Sequence, residues 1–189
     1  MADLKPQIYT VGHSTHPIED FLSLLTNAGV EAIADVRRFP GSRRHPQFGA
    51  DALAGSLRSA GIDYEPFREE LGGRRSRKDA EGAGAELPDN SAWRSASFRA
   101  YADYMSTPAF AAGLERLEAL AGERPTAFMC AEAHPSRCHR RLVADALLAR
   151  GWRVVHLLPD GREEEHAFTP DAVVEGDRVH YPAQPSLDV

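Results

Sequence analysis

Five short β-prone runs alternate with helical patterns along this chain, and that alternation restricts the fold more than any other feature. Ile8–Val11 ends in Gly12-His13-Ser14, and Pro17 with Glu19 and Asp20 opens a helix whose Phe21, Leu24, Leu25 and Ala28 share a face before Gly29 stops it. Residues 31–37 form the second strand, followed by the loop FPGSRRHPQFG and a helix with Asp51 as its expected N-cap, ending at Gly61. Ile62–Phe67 is the third strand, Thr126–Cys130 the fourth and Trp152–Leu157 the fifth, and Val179–Tyr181 suggests a short edge strand. Helical patterns lie at 98–105, from Pro108 through Leu120, and across Leu142, Val143, Ala146 and Leu147 up to Gly151. Such alternation implies parallel strands joined by right-handed crossovers. The expected fold is a single α/β domain spanning 1–189, with a mostly parallel sheet of about five strands flanked by helices. A partial or distorted barrel is the competing architecture. Residues 72–97, rich in Gly, Ser and charge with almost no apolar periodicity, read as a flexible loop.

In either architecture the strand-to-helix loops open on one side of the sheet, where α/β proteins bind ligands. His13 and Ser14 follow strand one, Asp35 and Arg37 end strand two, Cys130 and Glu132 end strand four, and His156 lies near the end of strand five. Cys138, His139 and Arg140 open the helix after strand four. Five segments thus deliver His, Asp, Arg, Cys and Glu to one rim.

The chain has two cysteines, both within MCAEAHPSRCHR. Nothing at the N-terminus resembles a signal peptide, and no apolar run approaches the ~20 residues that cross a bilayer. The expected location is the cytoplasm, where a Cys pair is more often reduced, metal-bound or catalytic than a structural bridge. Cys138, placed in a first helical turn beside Arg137, His139 and Arg140, is expected to be the more acidic thiol. The spacing is not that of a cysteine-phosphatase loop, because Arg137 stands seven positions after Cys130 and AEAHPS contains no glycine. Cys130, His134, Cys138 and His139 supply a possible ligand set for a divalent metal. Two adjacent residues on a helix point about 100° apart, so Cys138 and His139 would share one ion with difficulty.

A formal charge of −6 argues against broad adhesion to nucleic acid. The cations are clustered, however: Arg37, Arg38, Arg43 and Arg44 in a stretch without carboxylates, then Arg74, Arg75, Arg77 and Lys78. Arginine's planar fork suits phosphate and carboxylate, so a local anion site is expected.

TVGHS at 10–14, DVRRFPGSRR at 35–44, Tyr64 with LGG at 71–73, FRAYADYM at 98–105, CAE at 130–132 and CHRR at 138–141 give the chain a resemblance to the bacterial and archaeal family labelled domain of unknown function 488. The resemblance supports the same rim residues and carries no activity with it. Residues and resemblance together lead to an expected enzyme acting on a phosphate-bearing substrate, either a nucleotide or a nucleic acid. Cys130, Cys138, His139, His13, Asp35 and Glu132 are its catalytic candidates. Arg37, Arg43, Arg44, Arg140, Ser14 and Tyr64 are its substrate-binding candidates. One alternative is a non-catalytic nucleotide or nucleic-acid binding module with Tyr64, Tyr101 and Tyr104 as stacking platforms. The other is a metal site built on Cys130, Cys138 and His139. No membrane partner is expected.

Overall fold

The structure, a computed structural model, describes residues 5–41, 43–81 and 87–183. The elements in chain order are β1 (Gln7–Gly12), α1 (Ile18–Asn27), β2 (Ala32–Asp35), α2 (Ala50–Ser59), β3 (Asp63–Pro66), α3 (Arg68–Leu71), α4 (Arg77–Glu81), α5 (Ala96–Tyr104), α6 (Pro108–Glu123), β4 (Thr126–Cys130), α7 (Arg140–Ala149), β5 (Arg153–Leu157), β6 (Glu163–Glu165), β7 (Val173–Glu175) and β8 (Arg178–His180). Six strands form one sheet in the order β3-β2-β4-β1-β5-β6. The first five are parallel and β6 runs antiparallel along β5, which leaves β3 and β6 as open edges and the sheet unclosed. The fold is therefore the expected α/β sheet and not a barrel.

Alternation along the strands sends residues to two apolar layers. Ile8, Ala34, Val36, Phe128, Cys130 and Val154 face α5, α6 and α7, where Tyr101, Leu114, Leu117, Leu142 and Leu147 cover them. Val11, Ile33, Ala127, Met129 and Leu157 face α1 and α2, under Phe21, Leu25, Leu53 and Leu57. Helix α6 starts on a well-made cap, with Pro108 at its first position and Thr107 Oγ1 accepting from Phe110 N at 3.2 Å.

Two local expectations are corrected, the N-cap of α2 and the place of the late strand. Helix α2 starts after Gly49 with Asp51 inside its first turn, and no side-chain cap forms there. The late strand pairs with β7 in a separate two-stranded sheet, so it is not an edge of the main one. Within 72–97 the chain forms α4, and Asn90 is buried, its side chain bonding Asp103 Oδ1 at 2.8 Å and Tyr181 N at 3.0 Å. Residues 82–86 of that expected loop lie outside the described residues. No helix among the described residues is long and apolar enough to cross a membrane.

β1 ends against the loop that follows β4: His13 N donates to Cys130 O at 3.0 Å and Ser14 N to Ala131 O at 2.9 Å. Gly12 is packed so tightly there that a Cβ would overlap the Glu132 carbonyl and crowd the Arg140 guanidinium. Gly12→Ala should therefore cost about 3 kcal/mol or more in chemical denaturation, as overpacking against backbone does. Gly122→Ala on α6, where a Cβ meets open space, should be neutral or stabilising by up to about 1 kcal/mol. Equal effects of the two would refute this packing.

Candidate functional site

Cys130 is the last residue of β4. The chain then turns through Pro135–Arg137, a single 3₁₀ turn, before α7. Cys138 follows that turn with extended backbone (φ −135°, ψ 147°), and His139 caps α7. The expectation that Cys138 and His139 both lie on the helix is thus corrected, and so is the difficulty of aiming both at one point. Because the backbone changes conformation between them, their side chains converge. Cys130 Sγ, Cys138 Sγ and a ring nitrogen of His139 all lie within 4.8 Å of one another. His134 is exposed and stands outside this group.

The His139 ring is held from several sides. Its Nε2 lies 3.0 Å from the Val36 carbonyl, which can only accept, so Nε2 carries the proton and Nδ1 keeps its lone pair. Nδ1 lies 3.5 Å from Cys138 Sγ. Tyr101 packs on the ring at a centroid distance of 4.9 Å, and a Cβ on Gly73 would stand 2.7 Å from Nδ1. The second glycine of LGG is therefore a space requirement of His139. Burial holds the imidazole below its ordinary pKa and so favours the neutral ring.

The two thiols differ. Burial pushes Cys130 well up, and its hydrogen bond to Cys138 pushes the same way. Burial would raise Cys138 too. There the Cys130 hydrogen bond, the nearby Arg140 guanidinium and the Arg140 N–H, 3.5 Å from Sγ, outweigh it and bring the pKa to about 7. The acidity comes from these neighbours and not from a place inside the helix.

Arg140, expected to bind substrate, is fully buried and engaged with the protein. Its Nη1 donates to Thr10 Oγ1, and its Nη2 to the Glu132 carbonyl at 2.6 Å and the Ala133 carbonyl at 3.3 Å. His156 is equally internal. It joins a buried chain in which its Nε2 meets His166 Nδ1 at 3.0 Å, His166 Nε2 meets Asp145 Oδ1 at 2.8 Å, and Tyr181 Oη donates to Asp145 Oδ2 at 2.7 Å.

Asp35, His13 and Tyr64 gather on the opposite face of the sheet. Arg37 forks onto Asp35 through Nε–Oδ1 (2.8 Å) and Nη2–Oδ2 (2.6 Å), while Tyr64 Oη donates to Oδ2 at 2.7 Å. Arg37 Nη1 bonds the Phe48 carbonyl at 2.7 Å and lies 3.2 Å from His13 Nε2. His13 Nδ1 faces the Ser14 carbonyl at 2.9 Å, so it bears the proton and Nε2 accepts. The ring stacks on Phe48 at 4.2 Å. Burial first, then Arg37, lowers the His13 pKa to about 4. The single rim of the sequence reading is thus two groups on either side of the sheet, bridged by Val36 and Arg37.

A cavity of about 350 Å³ lies over the sulfur side. Cys130, Cys138 and His139 line it together with Glu132, Tyr101, Phe39 and Phe98, and with four arginines, Arg37, Arg38, Arg74 and Arg137. Arg37 is spent on Asp35, and Arg38 reaches the Arg74 carbonyl at 3.1 Å and Asp79 at 3.5 Å. No carboxylate among the described residues pairs with Arg74 or Arg137, and both are exposed. Arg74 also has a left-handed backbone, φ 57°, a conformation unusual for a branched-free but bulky side chain and common at functional loops. Arg43 and Arg44 are exposed and are not among the described residues that line the cavity. In the sequence, Arg38 and Arg74 stand out only as members of basic clusters and Arg137 only as a cationic neighbour of Cys138. Tyr101 and Tyr104 are buried with hydroxyls on the Leu71 and Glu70 carbonyls, so neither is a stacking platform. Phe39, 66% exposed, is the aromatic surface at the mouth.

Fold and cavity define an α/β protein with a Cys-Cys-His cluster at the C-terminal edge of its parallel strands. Residues 17–147 match the family described as Domain of unknown function DUF488, and the chain belongs to that family. The matched span contains the DVRRFPGSRR, LGG, FRAYADYM, CAE and CHRR motifs, while TVGHS precedes it. No curated protein and no solved structure matches the chain.

The depressed His13 pKa has a consequence for stability. Above pH 6.5 the imidazole is neutral in both folded and unfolded chains; between 6.5 and about 4 only the unfolded chain binds the proton, so stability falls as pH falls. From pH 7 to pH 5 this should remove on the order of 1–2 kcal/mol, measured by chemical denaturation. His13→Gln should lessen the decline by that amount, while the buried His139 and His156, also held low, keep the remainder; an unchanged slope would mean that folded His13 protonates normally.

Proposed function

We propose that this protein is an enzyme acting on a phosphate-bearing substrate, a nucleotide or a nucleic-acid end, bound in the cavity above Cys130, Cys138 and His139. One juxtaposition carries the reading: two arginines without carboxylate partners, Arg74 and Arg137, flank a pocket whose lining holds both thiols and an imidazole with a free lone pair. Guanidinium forks recognise phosphate oxygens through paired charge-assisted hydrogen bonds. Phe39, exposed at the cavity mouth, offers an aromatic surface on which a base can stack. A pure binding module has no need of a buried Cys-Cys-His cluster beneath its ligand, which favours chemistry over capture.

Among the sequence candidates, Cys130, Cys138 and His139 form the reacting centre, and Glu132 stands at its margin. Asp35, His13 and Tyr64 are positioning residues. They fix Arg37, which closes one wall, and act on the substrate only through it. Arg140 holds the loop that presents the thiols.

Calorimetric titration with a mononucleotide, joined to a turnover assay on a panel of phosphorylated compounds, tests the proposal. Replacing Arg74 or Arg137 by Ala should weaken binding about tenfold or more each, because hydrogen bonds to charged groups contribute about 1.5–3 kcal/mol. Binding to the wild-type protein should fall as salt rises. Arg43→Ala and Arg44→Ala should have much smaller effects. Unchanged affinity in the Arg74 and Arg137 variants would remove the anion site, and tight binding without any turnover across the panel would favour the binding-module alternative.

A further inference from the structure

We propose that Cys130 Sγ, Cys138 Sγ and His139 Nδ1 are the three protein ligands of a zinc ion whose fourth position opens into the arginine-lined cavity. The ligand set stands on geometry alone. The role of the fourth position rests on the reading of this cavity as a phosphate site.

The donor atoms are already arranged for an ion. Both sulfurs and a ring nitrogen of His139 lie within 4.8 Å of one another, and Cys138 Sγ is 3.5 Å from His139 Nδ1. A tetrahedral zinc with bonds of about 2.3 Å to sulfur and about 2.0 Å to nitrogen separates those two donors by about 3.5 Å. Binding requires little rearrangement of that pair. The tautomer is preset as well, since the Val36 carbonyl holds the proton on Nε2 and leaves Nδ1 as the only ring nitrogen that can ligate. Backbone carbonyls orient zinc-bound histidines in this way.

The sulfurs are prepared too. Glu132 N lies 3.4 Å from Cys130 Sγ and Arg140 N lies 3.5 Å from Cys138 Sγ, each amide two residues beyond the cysteine it meets. Such N–H contacts stabilise thiolate ligands. Two thiolates neutralise the ion's two charges, so the buried Arg140 guanidinium faces a centre with no net positive charge. Two soft thiolates and one imidazole suit zinc better than magnesium or calcium, which take oxygen ligands.

No fourth His, Cys, Asp or Glu among the described residues joins the group. A three-ligand zinc with an open position is the pattern of catalytic sites, whereas structural sites close the shell with four. Water or a phosphate oxygen of a ligand held by Arg74 and Arg137 can occupy that position.

The test uses the full, untagged chain, purified under reducing conditions. Elemental analysis after purification should find about one zinc per chain. After chelator stripping, added cobalt(II) should give the visible bands of a tetrahedral complex and a near-ultraviolet thiolate-to-cobalt charge-transfer band. The spectrum is read on wild-type protein, so it does not depend on a variant that folds poorly. Cys138→Ser should diminish the charge-transfer band, and both Cys138→Ser and His139→Gln should weaken cobalt binding at least about tenfold, while Glu132→Gln should leave band and affinity unchanged. Reduced protein that purifies without zinc and takes up no cobalt into a thiolate complex overturns the metal centre. That outcome leaves the phosphate reading standing if the Arg74 and Arg137 variants still weaken nucleotide binding. If those variants keep the metal and bind nucleotide as wild type does, the phosphate reading fails and the metal centre stands.

Discussion

A guanidinium with no exposure to water organises the C-terminal edge of the parallel strands. Arg140 crosses from the start of α7 to β1 and ties Thr10 Oγ1 to the carbonyls of Glu132 and Ala133. Burying a charge costs several kcal/mol unless hydrogen bonds and neighbouring charge offset it. Here three oxygens and the adjacent sulfur pair offset part of that cost, while Nε is buried without a hydrogen-bond partner, and the bonds to Glu132 and Ala133 fix where the loop after β4 folds back. Its return requires Gly12, since any Cβ on β1 at that point would occupy the space of the Glu132 carbonyl. Once the loop is pinned, Cys138 arrives beside Cys130 and His139 beside the Val36 carbonyl.

The two faces of the sheet divide the work. On one face, strand ends and loops assemble the Cys-Cys-His cluster and its cavity. On the other, Asp35, Tyr64, Phe48 and His13 hold Arg37 in a fixed orientation through its fork, its Phe48 bond and a neutral imidazole. A protonated His13 would repel Arg37, which is why burial and that cation act in the same direction on its pKa. Arg38 carries the arrangement across the cavity by bonding the carbonyl of Arg74. The unpaired cations are thus mounted on a braced framework, although they project from loops.

Much of this was legible in the sequence, for definite physical reasons. Buried parallel strands read as short apolar runs, helix starts carry proline and acids, and the strand-end rule drew attention to Cys130, Asp35 and His13. The division into two faces was not legible, because it depends on strand register: Asp35 pairs with Met129 and Gly12 with Cys130, and neighbours in register share a face. β6 escaped notice because Glu163, Glu164 and Glu165 show no apolar alternation, and the strand exists only by pairing with β5. The extended backbone of Cys138 depends on the turn at Pro135, and the helical reading of CHRR hid it. Arg74 reaches the cavity through a left-handed residue after two glycines, and only the packing of Gly73 against His139 reveals why that loop must pass there.

In the proposed function, anionic ligands sit between the arginine wall and the Cys130–Cys138–His139 cluster. Crystals soaked in tungstate, a heavy stand-in for phosphate, test it most directly through the anomalous signal of the metal atom. A peak is expected in the cavity, within hydrogen-bonding reach of Arg74 and Arg137 and over the two sulfurs, and it should disappear in the Arg74→Ala, Arg137→Ala double variant. A peak at Arg43 and Arg44 with the cavity empty, or one in the cavity that survives the double variant, would contradict it.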